Sequence, residues 1–155
     1  MTLEQQLYTA IAGNAGVQAL LAVDAGGNVA FYDKQLPQQN VTGAGALAYP
    51  AGVYQRISSP RLFVHTPLAQ QASAGRARFQ LTFWATGATS TLTLGQIDAA
   101  VLAAFRGSDF FFPSGSPPVD RGNFFSYDSR MEVEPNTQPP LARLRIDVQF
   151  WFQDQ

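Results

Sequence analysis

The sequence predicts an α+β domain in which two helices pack on one face of a mainly antiparallel sheet of about four to five strands. Two stretches carry apolar residues at helical spacing, and three longer stretches alternate apolar and polar residues with the period of a strand. These stretches follow the order helix, strands, helix, strands. The chain has 155 residues, 46% of them hydrophobic, which predicts a single domain over residues 1–155 with a real core.

The first helix is predicted from residue 2 onwards. Thr2-Leu3-Glu4-Gln5 has the form of a capping box, with Thr2 as the N-cap. One stripe of the helix is then apolar, at Leu3, Leu7 and Ile11. Gly13 is expected to end this helix, and residues 17–21 predict a further helical turn or two.

Four strands are predicted before the second helix. A short one covers residues 29–32, and an alternating one covers 53–57 after a connection rich in Gly, Ala, Pro and Gln. Another short strand is expected at 61–66, and a loop at 67–75. The clearest alternation runs over 76–85, with Phe79, Leu81 and Phe83 on the inner face.

The second helix is predicted to start at Thr93, where Gln96 completes a capping box, and to close at Gly107. Its apolar side consists of Ile97, Val101, Leu102 and Phe105. An irregular segment, 108–122, follows.

Two further strands are predicted near the end of the chain, over 124–134 and over the closing stretch from residue 141. Alternation places Leu144, Ile146 and Val148 in the core, together with Phe150 and Phe152. The expected inner positions of the earlier strand are Phe125, Tyr127, Met131 and Val133.

Composition excludes several classes of protein. The net charge of −1 does not provide the basic footprint of a dedicated nucleic-acid binder. There is no cysteine, so disulfides and thiolate metal sites are excluded. No signal peptide or membrane-spanning segment is expected, which favours a protein made and kept in the cytoplasm.

A catalytic site is not predicted. His65 is the single histidine and lies in a strand-like run, which favours a structural role. Residues 43–48 fit G-x-G-x-x-A, but Pro50 follows too soon for the helix that a dinucleotide site needs. Glu132 and Glu134 share a strand face, where carboxylates are typically solubilising. No metal site and no cofactor is expected.

Aromatic and arginine residues remain unexplained by the predicted core. Phe110, Phe111 and Phe112 lie in the irregular segment, and Trp84 and Trp151 lie opposite the inward alternation of their strands. Both tryptophans share a predicted face with arginines: Arg76, Arg78, Arg143 and Arg145. Either a larger core covers these residues, or they form a subunit or partner interface, in which aromatic and Arg anchors are enriched. Only 14% of residues are charged, which is a hint of assembly.

Four segments, in matching order, resemble the tail-completion or tail-terminator proteins of long-tailed bacteriophages. They are the opening helix TLEQQLYTAIAGNAGVQAL, the strand VYQRIS, the strand-helix unit RFQLTFWAT…IDAAVLAAF, and the closing strand LRIDVQFWF. The resemblance rests on hydrophobic patterns and spans most of the chain. The glycine-rich stretch before VYQRIS and the 110–122 segment depart from the family pattern.

The resemblance implies a non-enzymatic virion protein that forms a ring, expected to be a hexamer, at the head-proximal end of the tail tube. Such a ring ends tube polymerisation and joins the tail to the head-side connector. The implied partners are other copies of the chain, the tail-tube protein and a connector or stopper protein, and DNA passes through the lumen without specific binding. The implied location is the tail or neck of the virion, assembled in the host cytoplasm.

Two alternatives remain open from the sequence. Another neck component, such as a head-completion or stopper protein, shares this size and composition. A small hydrolase or ligand-binding domain would use His65 and the glycine-rich stretch.

Overall fold

The computed structural model describes residues 2–24, 26–37, 48–58, 61–63, 73–107, 124–134 and 141–153. The helices are α1 (Leu3–Ala12), α2 (Ala15–Gln18) and α3 (Ser90–Arg106). The strands are β1 (Phe31–Asp33), β2 (Ala51–Ser58), β3 (Arg61–Phe63), β4 (Ser73–Thr86), β5 (Phe124–Glu134) and β6 (Leu141–Gln153). The predicted α+β class is therefore confirmed.

The strands form one mixed sheet in the order β1-β2-β4-β6-β5, and β3 pairs with β4. All described pairings between these strands are antiparallel except that of β1 with β2. β4 and β6 pair over their whole shared length, from Ala74 opposite Gln153 to Thr86 opposite Leu141. These two strands are the centre of the sheet, and β5 follows β6 on its outer side.

The core lies between the sheet and the helices. Alternate residues of the two central strands are fully or almost fully buried there: Ala77, Phe79, Leu81, Phe83 and Ala85 on β4, and Ala142, Leu144, Ile146, Val148 and Phe150 on β6. α3 contributes Leu94, Ile97, Val101 and Phe105, and α1 contributes Leu7 and Ile11. The alternation in the sequence thus identifies the buried face of both central strands correctly.

A ring stack joins β1 and β2 to this core. Phe31 and Phe83 lie parallel, with ring centroids 5.6 Å apart. Gly52, between them in the sheet, leaves room for the stack: a Cβ there would lie 2.5 Å from Phe83 Cε1 and 3.1 Å from Phe31 Cδ2. The glycine at this position is therefore required by the approach of the two rings.

The first helix has the predicted capping box. Thr2 Oγ1 accepts from the Gln5 amide at 3.2 Å, and the Thr2 amide donates to Gln5 Oε1 at 2.9 Å. α1 is also joined to the sheet by an ion pair between Glu4 and Arg56 on β2, at 3.2 Å. The Gly13 amide donates to the Thr9 carbonyl at the end of α1, where the sequence predicts that the helix ends.

The predicted start of the second helix is wrong. α3 begins at Ser90, with Thr89 at the N-cap position, so Thr93 lies inside the helix and donates its hydroxyl to the Thr89 carbonyl at 3.1 Å. Ser90 and Leu94 are buried, and this burial extends the helix towards its N-terminus. Several Ser and Thr residues in this stretch have side chains suited to capping, and the sequence pattern favours the wrong one.

Strand boundaries differ in places. β5 has the predicted range Phe124–Glu134, and the predicted strand at 53–57 widens to Ala51–Ser58. The loop predicted for 67–75 is wrong for its last residues, because β4 already begins at Ser73, where pairing with β3 and β6 holds small residues in a strand. Residues 38–47, 64–72, 108–123 and 135–140, which include His65 and most of the G-x-G-x-x-A stretch, lie outside the described part of the chain.

Candidate interaction surface

The sheet face opposite the helices carries a dense group of charged side chains in the β4–β6–β5 region. These residues alternate along their strands with the buried residues of the core. We call them the charged face, which consists of Arg78 on β4, Arg143, Arg145 and Asp147 on β6, and Asp128, Arg130, Glu132 and Glu134 on β5. Trp84, half-buried on β4, stands opposite Arg143 and Ala51 in the register.

The charges form ion pairs along and across the strands. Asp147 is shared by two guanidinium groups, Arg78 and Arg145, each at 3.6 Å. Asp128 pairs with Arg130 at 3.7 Å on the same strand. Glu132 is hydrogen-bonded to Arg143, whose guanidinium holds the pKa of Glu132 below its usual range.

Some of the polar atoms on this face are buried without a hydrogen bond. Within the described residues, these atoms are Arg78 Nε, Arg143 Nε and Asp147 Oδ1. At 3.6 Å the ion pairs of Asp147 are longer than hydrogen bonds, so they leave Asp147 Oδ1 without a hydrogen-bond donor. Buried polar atoms in native structures are nearly always paired, and this cluster is an exception.

The cross-strand register places like charges directly opposite each other. Asp128 faces Asp147, and Arg130 faces Arg145. Like charges at such positions destabilise a sheet. Only the next pair, Glu132 with Arg143, brings opposite charges together. The charged face is therefore not arranged for the greatest stability of the isolated chain.

The interface residues predicted from the sequence fall into three groups. Arg78, Arg143, Arg145 and Trp84 are brought together on the sheet face opposite the helices, as the alternation predicts. The backbone register also places Arg76 opposite Trp151. Phe110, Phe111 and Phe112 lie outside the described residues. The sequence analysis places Glu132 and Glu134 on one strand face but does not count them among the interface candidates, and it does not single out Asp128 or Arg130, although the alternation over 128–134 was visible.

Exposed apolar side chains mark the opposite side of β5. Met131 and Val133 are 42% and 53% exposed, although they lie on the helix-facing side of the strand. α3 contacts β5 nearer the N-terminal end of the strand. There the Tyr127 hydroxyl donates to Asp98 at 2.5 Å, and the Ser129 hydroxyl donates to Asp98 at 2.9 Å. The C-terminal half of β5 thus extends beyond the cover that α3 provides, so the core positions predicted for Met131 and Val133 are wrong.

The other candidate sites in the described part of the chain have fewer charged or reactive side chains. An open groove beside α1 is lined by Gln5, Tyr8, Thr9 and Tyr54, and burial raises the pKa of Tyr54. In the described part of the chain, no group of three or more His, Asp or Glu residues is placed to hold a metal ion. None of the described helices combines the length and apolar character needed to cross a bilayer.

Comparison with known proteins shows a similarity in fold. No protein-family model matches the chain. No curated protein matches its sequence. Among solved structures, a chain of the virion of a native gene transfer agent (GTA) particle superposes with a TM-score of 0.53 at 14% sequence identity, and the match covers 98% of this chain and 95% of that one. At this identity the match establishes a shared fold over nearly the entire length of both chains.

Proposed function

We propose that the chain is a structural protein of a phage-like particle. In this proposal it forms a ring, a hexamer in the simplest form, at the head-proximal end of the tail tube. The ring stops tube polymerisation and joins the tail to the head-side connector. The chain is a single tail-terminator-like domain without an enzymatic role, and it needs no cofactor.

The observation that carries this proposal is the likeness in fold to a chain of a gene transfer agent virion. The likeness agrees with the independent resemblance of four sequence segments to tail-terminator proteins. It extends over 98% of this chain and 95% of the other, so it concerns the whole arrangement of helices and strands and not a local motif. Virion proteins contact their neighbours extensively, and a chain with only 14% charged residues suits that role.

The proposed partners are other copies of the chain, the tail-tube protein and the connector or stopper protein. Arg78, Arg143, Arg145 and Trp84 are the described residues proposed for these contacts, with Arg76, Trp151 and Phe110–Phe112 as further candidates. DNA would pass through the ring without specific binding, which is compatible with a net charge of −1.

Sedimentation velocity of the full chain, alone at high concentration and mixed with tail-tube protein, tests the proposal. We expect a closed oligomer of defined size and a complex with the tube. An inert monomer under both conditions would rule the proposal out. Antibody labelling of purified tails separates a terminator, which labels the head-proximal end of the tail, from a component that remains with the head.

A further inference from the structure

Two apolar features lie on the helix side of the sheet, towards its opposite edges. One is the exposed pair Met131 and Val133 near the C-terminal end of β5, which we call the apolar edge. The other is the open groove beside α1, which we call the tyrosine groove. Its lining residues are Gln5, Tyr8, Thr9 and Tyr54. The two features cannot meet within one chain, because β4 and β6 lie between β2, which carries Tyr54, and β5.

The apolar edge has little cover from the rest of the chain. Every residue from Arg130 to Glu134 is exposed, and β5 is paired on one side among the described strands. Met131 and Val133 lie on the helix-facing side of the strand, beyond the cover that α3 provides. Exposed apolar side chains on a strand at the edge of a sheet are a typical site of association. The apolar edge is therefore accessible to a partner.

The tyrosine groove has an aromatic wall. The Tyr8 ring lies 6.1 Å from the rings of both Phe31 and Tyr54, measured between centroids, and Tyr8 is 36% exposed. The groove has a volume of about 410 Å³, within the range of about 300–1,000 Å³ that is typical of binding pockets. Methionine makes favourable contacts with aromatic rings through its sulfur atom. The groove thus suits the side chains of the apolar edge.

The charges that flank the two features are complementary. Lys34 lies beside the tyrosine groove, because its amide donates to the Tyr54 carbonyl at 2.8 Å. Its side chain is 75% exposed, and an exposed ion pair such as the one that it makes with Asp33, at 3.8 Å, contributes little to stability. On the apolar edge, Val133 is followed directly by Glu134. A carboxylate therefore accompanies the apolar edge, and an accessible ammonium group accompanies the groove.

We propose that the apolar edge of one copy docks in the tyrosine groove of the next copy, with Glu134 beside Lys34. This inference rests on the proposed function, because it identifies a subunit contact of the ring. β2 and β5 are three strand spacings apart, about 14 Å, and the two features lie towards opposite edges of the sheet. The contact is therefore heterologous, with one feature for each neighbour, and heterologous contacts close into rings when the rotation permits.

Removal of the apolar edge is the main test. The double variant Met131→Ser, Val133→Ser should keep a melting temperature near that of the wild type, because both side chains are exposed. Sedimentation velocity over a concentration series should show self-association weakened by at least about tenfold. Leu92→Ser is the matched control, because it removes an apolar side chain that is 64% exposed on α3, and it should assemble normally.

Thr9→Arg tests the groove without removal of an aromatic ring. Thr9 is exposed and lines the groove, so a longer side chain there would fill it, and Arg has a higher helix propensity than Thr. We expect a folded protein that fails to self-associate, while Gln96→Arg, on an exposed position of α3, should assemble normally. A folded Thr9→Arg that forms rings but no longer binds tail-tube protein would assign the groove to that protein and overturn the contact between copies.

A charge swap tests the proposed orientation. Lys34→Glu and Glu134→Lys should each weaken self-association several-fold, because like charges would then meet at every contact. A chain that carries both substitutions should recover, because every contact again joins opposite charges. Sedimentation velocity of the two single variants and the double variant measures these effects.

The outcomes separate this contact from the ring itself. Three results would overturn the contact while leaving the ring proposal standing: normal assembly of the folded apolar-edge variant or of folded Thr9→Arg, unchanged association of both charge reversals, or no recovery in the doubly reversed chain. Thr9→Arg keeps the test decisive should the apolar-edge variant unfold. A wild-type chain that stays monomeric with and without the tail-tube protein would overturn both proposals.

Discussion

Asp98 is the residue that ties α3 to the outer part of the sheet. Its carboxylate accepts hydrogen bonds from Tyr127 and Ser129, both on β5. The Tyr127 ring also packs edge-on against Phe105 of α3, with centroids 6.2 Å apart. One acidic side chain thus joins α3 to β5, in addition to the pairing of β5 with β6.

Removal of the Tyr127 hydroxyl should weaken this tie. We expect Tyr127→Phe to lower the free energy of unfolding by about 1.5–3 kcal/mol, since the lost hydrogen bond joins a part-buried donor to a carboxylate. Urea unfolding followed by circular dichroism measures the change. Tyr32→Phe is the control, because its hydrogen bond to Asp24 is longer, at 3.3 Å, and should contribute less. Equal losses in the two variants would contradict this account.

The same tyrosine predicts a dependence of stability on pH. Burial, and secondly the Asp98 carboxylate, raises the pKa of Tyr127 above its ordinary value. Tyrosine in the unfolded chain ionises near about pH 10, while Tyr127 in the folded chain remains protonated. The unfolded state then binds fewer protons, so the contribution of Tyr127 is complete below about pH 10 and is lost as the pH rises above it.

Wild-type protein should therefore lose more stability than Tyr127→Phe as the pH is raised through about 10. The variant should retain part of the alkaline loss, because the pKa values of Tyr32 and Tyr54 are also raised. Urea unfolding at a series of alkaline pH values measures the difference. Parallel curves for the two proteins would mean that the Tyr127 phenol does not contribute in this way.

At the scale of elements, the packing of β2 between β1 and β4 depends on the absence of a side chain at Gly52. Gly52→Ala should destabilise the fold by about 1–3 kcal/mol, because the added methyl group would overlap the Phe83 ring. Gly95→Ala provides a contrasting glycine, with open space around its Cβ position on an exposed part of α3, and should stabilise by about 0.5–1 kcal/mol. Thermal unfolding of both variants tests this contrast, and shifts of the same sign would contradict it.

The elements that the sequence predicts well are those with a strong local pattern. The range Phe124–Glu134, the capping box at Thr2 and the buried faces of β4 and β6 follow from alternation and capping alone. The parallel pairing of β1 with β2 could not be predicted, because it joins two strands that are separated in the chain and no local pattern specifies which strands pair. The start of α3 depends on burial of Ser90 and Leu94, which is a tertiary effect.

The candidate surface could be predicted only in part for the same reason. Alternation places Arg143, Arg145 and Trp84 on the face opposite the core without any knowledge of strand order. The opposition of Asp128 to Asp147 depends on the register of two strands, and a shift of two residues would remove it. Local sequence contains no information of this kind, so the opposition of like charges becomes visible only in the fold.

At the scale of the whole molecule, the segment Phe110–Phe112 is expected to take part in assembly. Replacement of the three residues by Ser should leave the melting temperature near that of the wild type and impair formation of the proposed ring or of its proposed junction with the tail tube. Thermal unfolding and sedimentation with tail-tube protein measure the two effects. An unfolded triple variant would assign these aromatics to the core.

The full-length pairing of β4 with β6 has a consequence for hydrogen–deuterium exchange. Both strands have neighbours on either side, so their amides near Phe79–Phe83 and Leu144–Val148 should exchange only when the whole domain opens. β5, paired on one side among the described strands, should exchange sooner. The edge strand can therefore open and close while the amides of β4 and β6 keep their protons, and exchange in β5 should respond to conditions that leave the centre of the sheet protected.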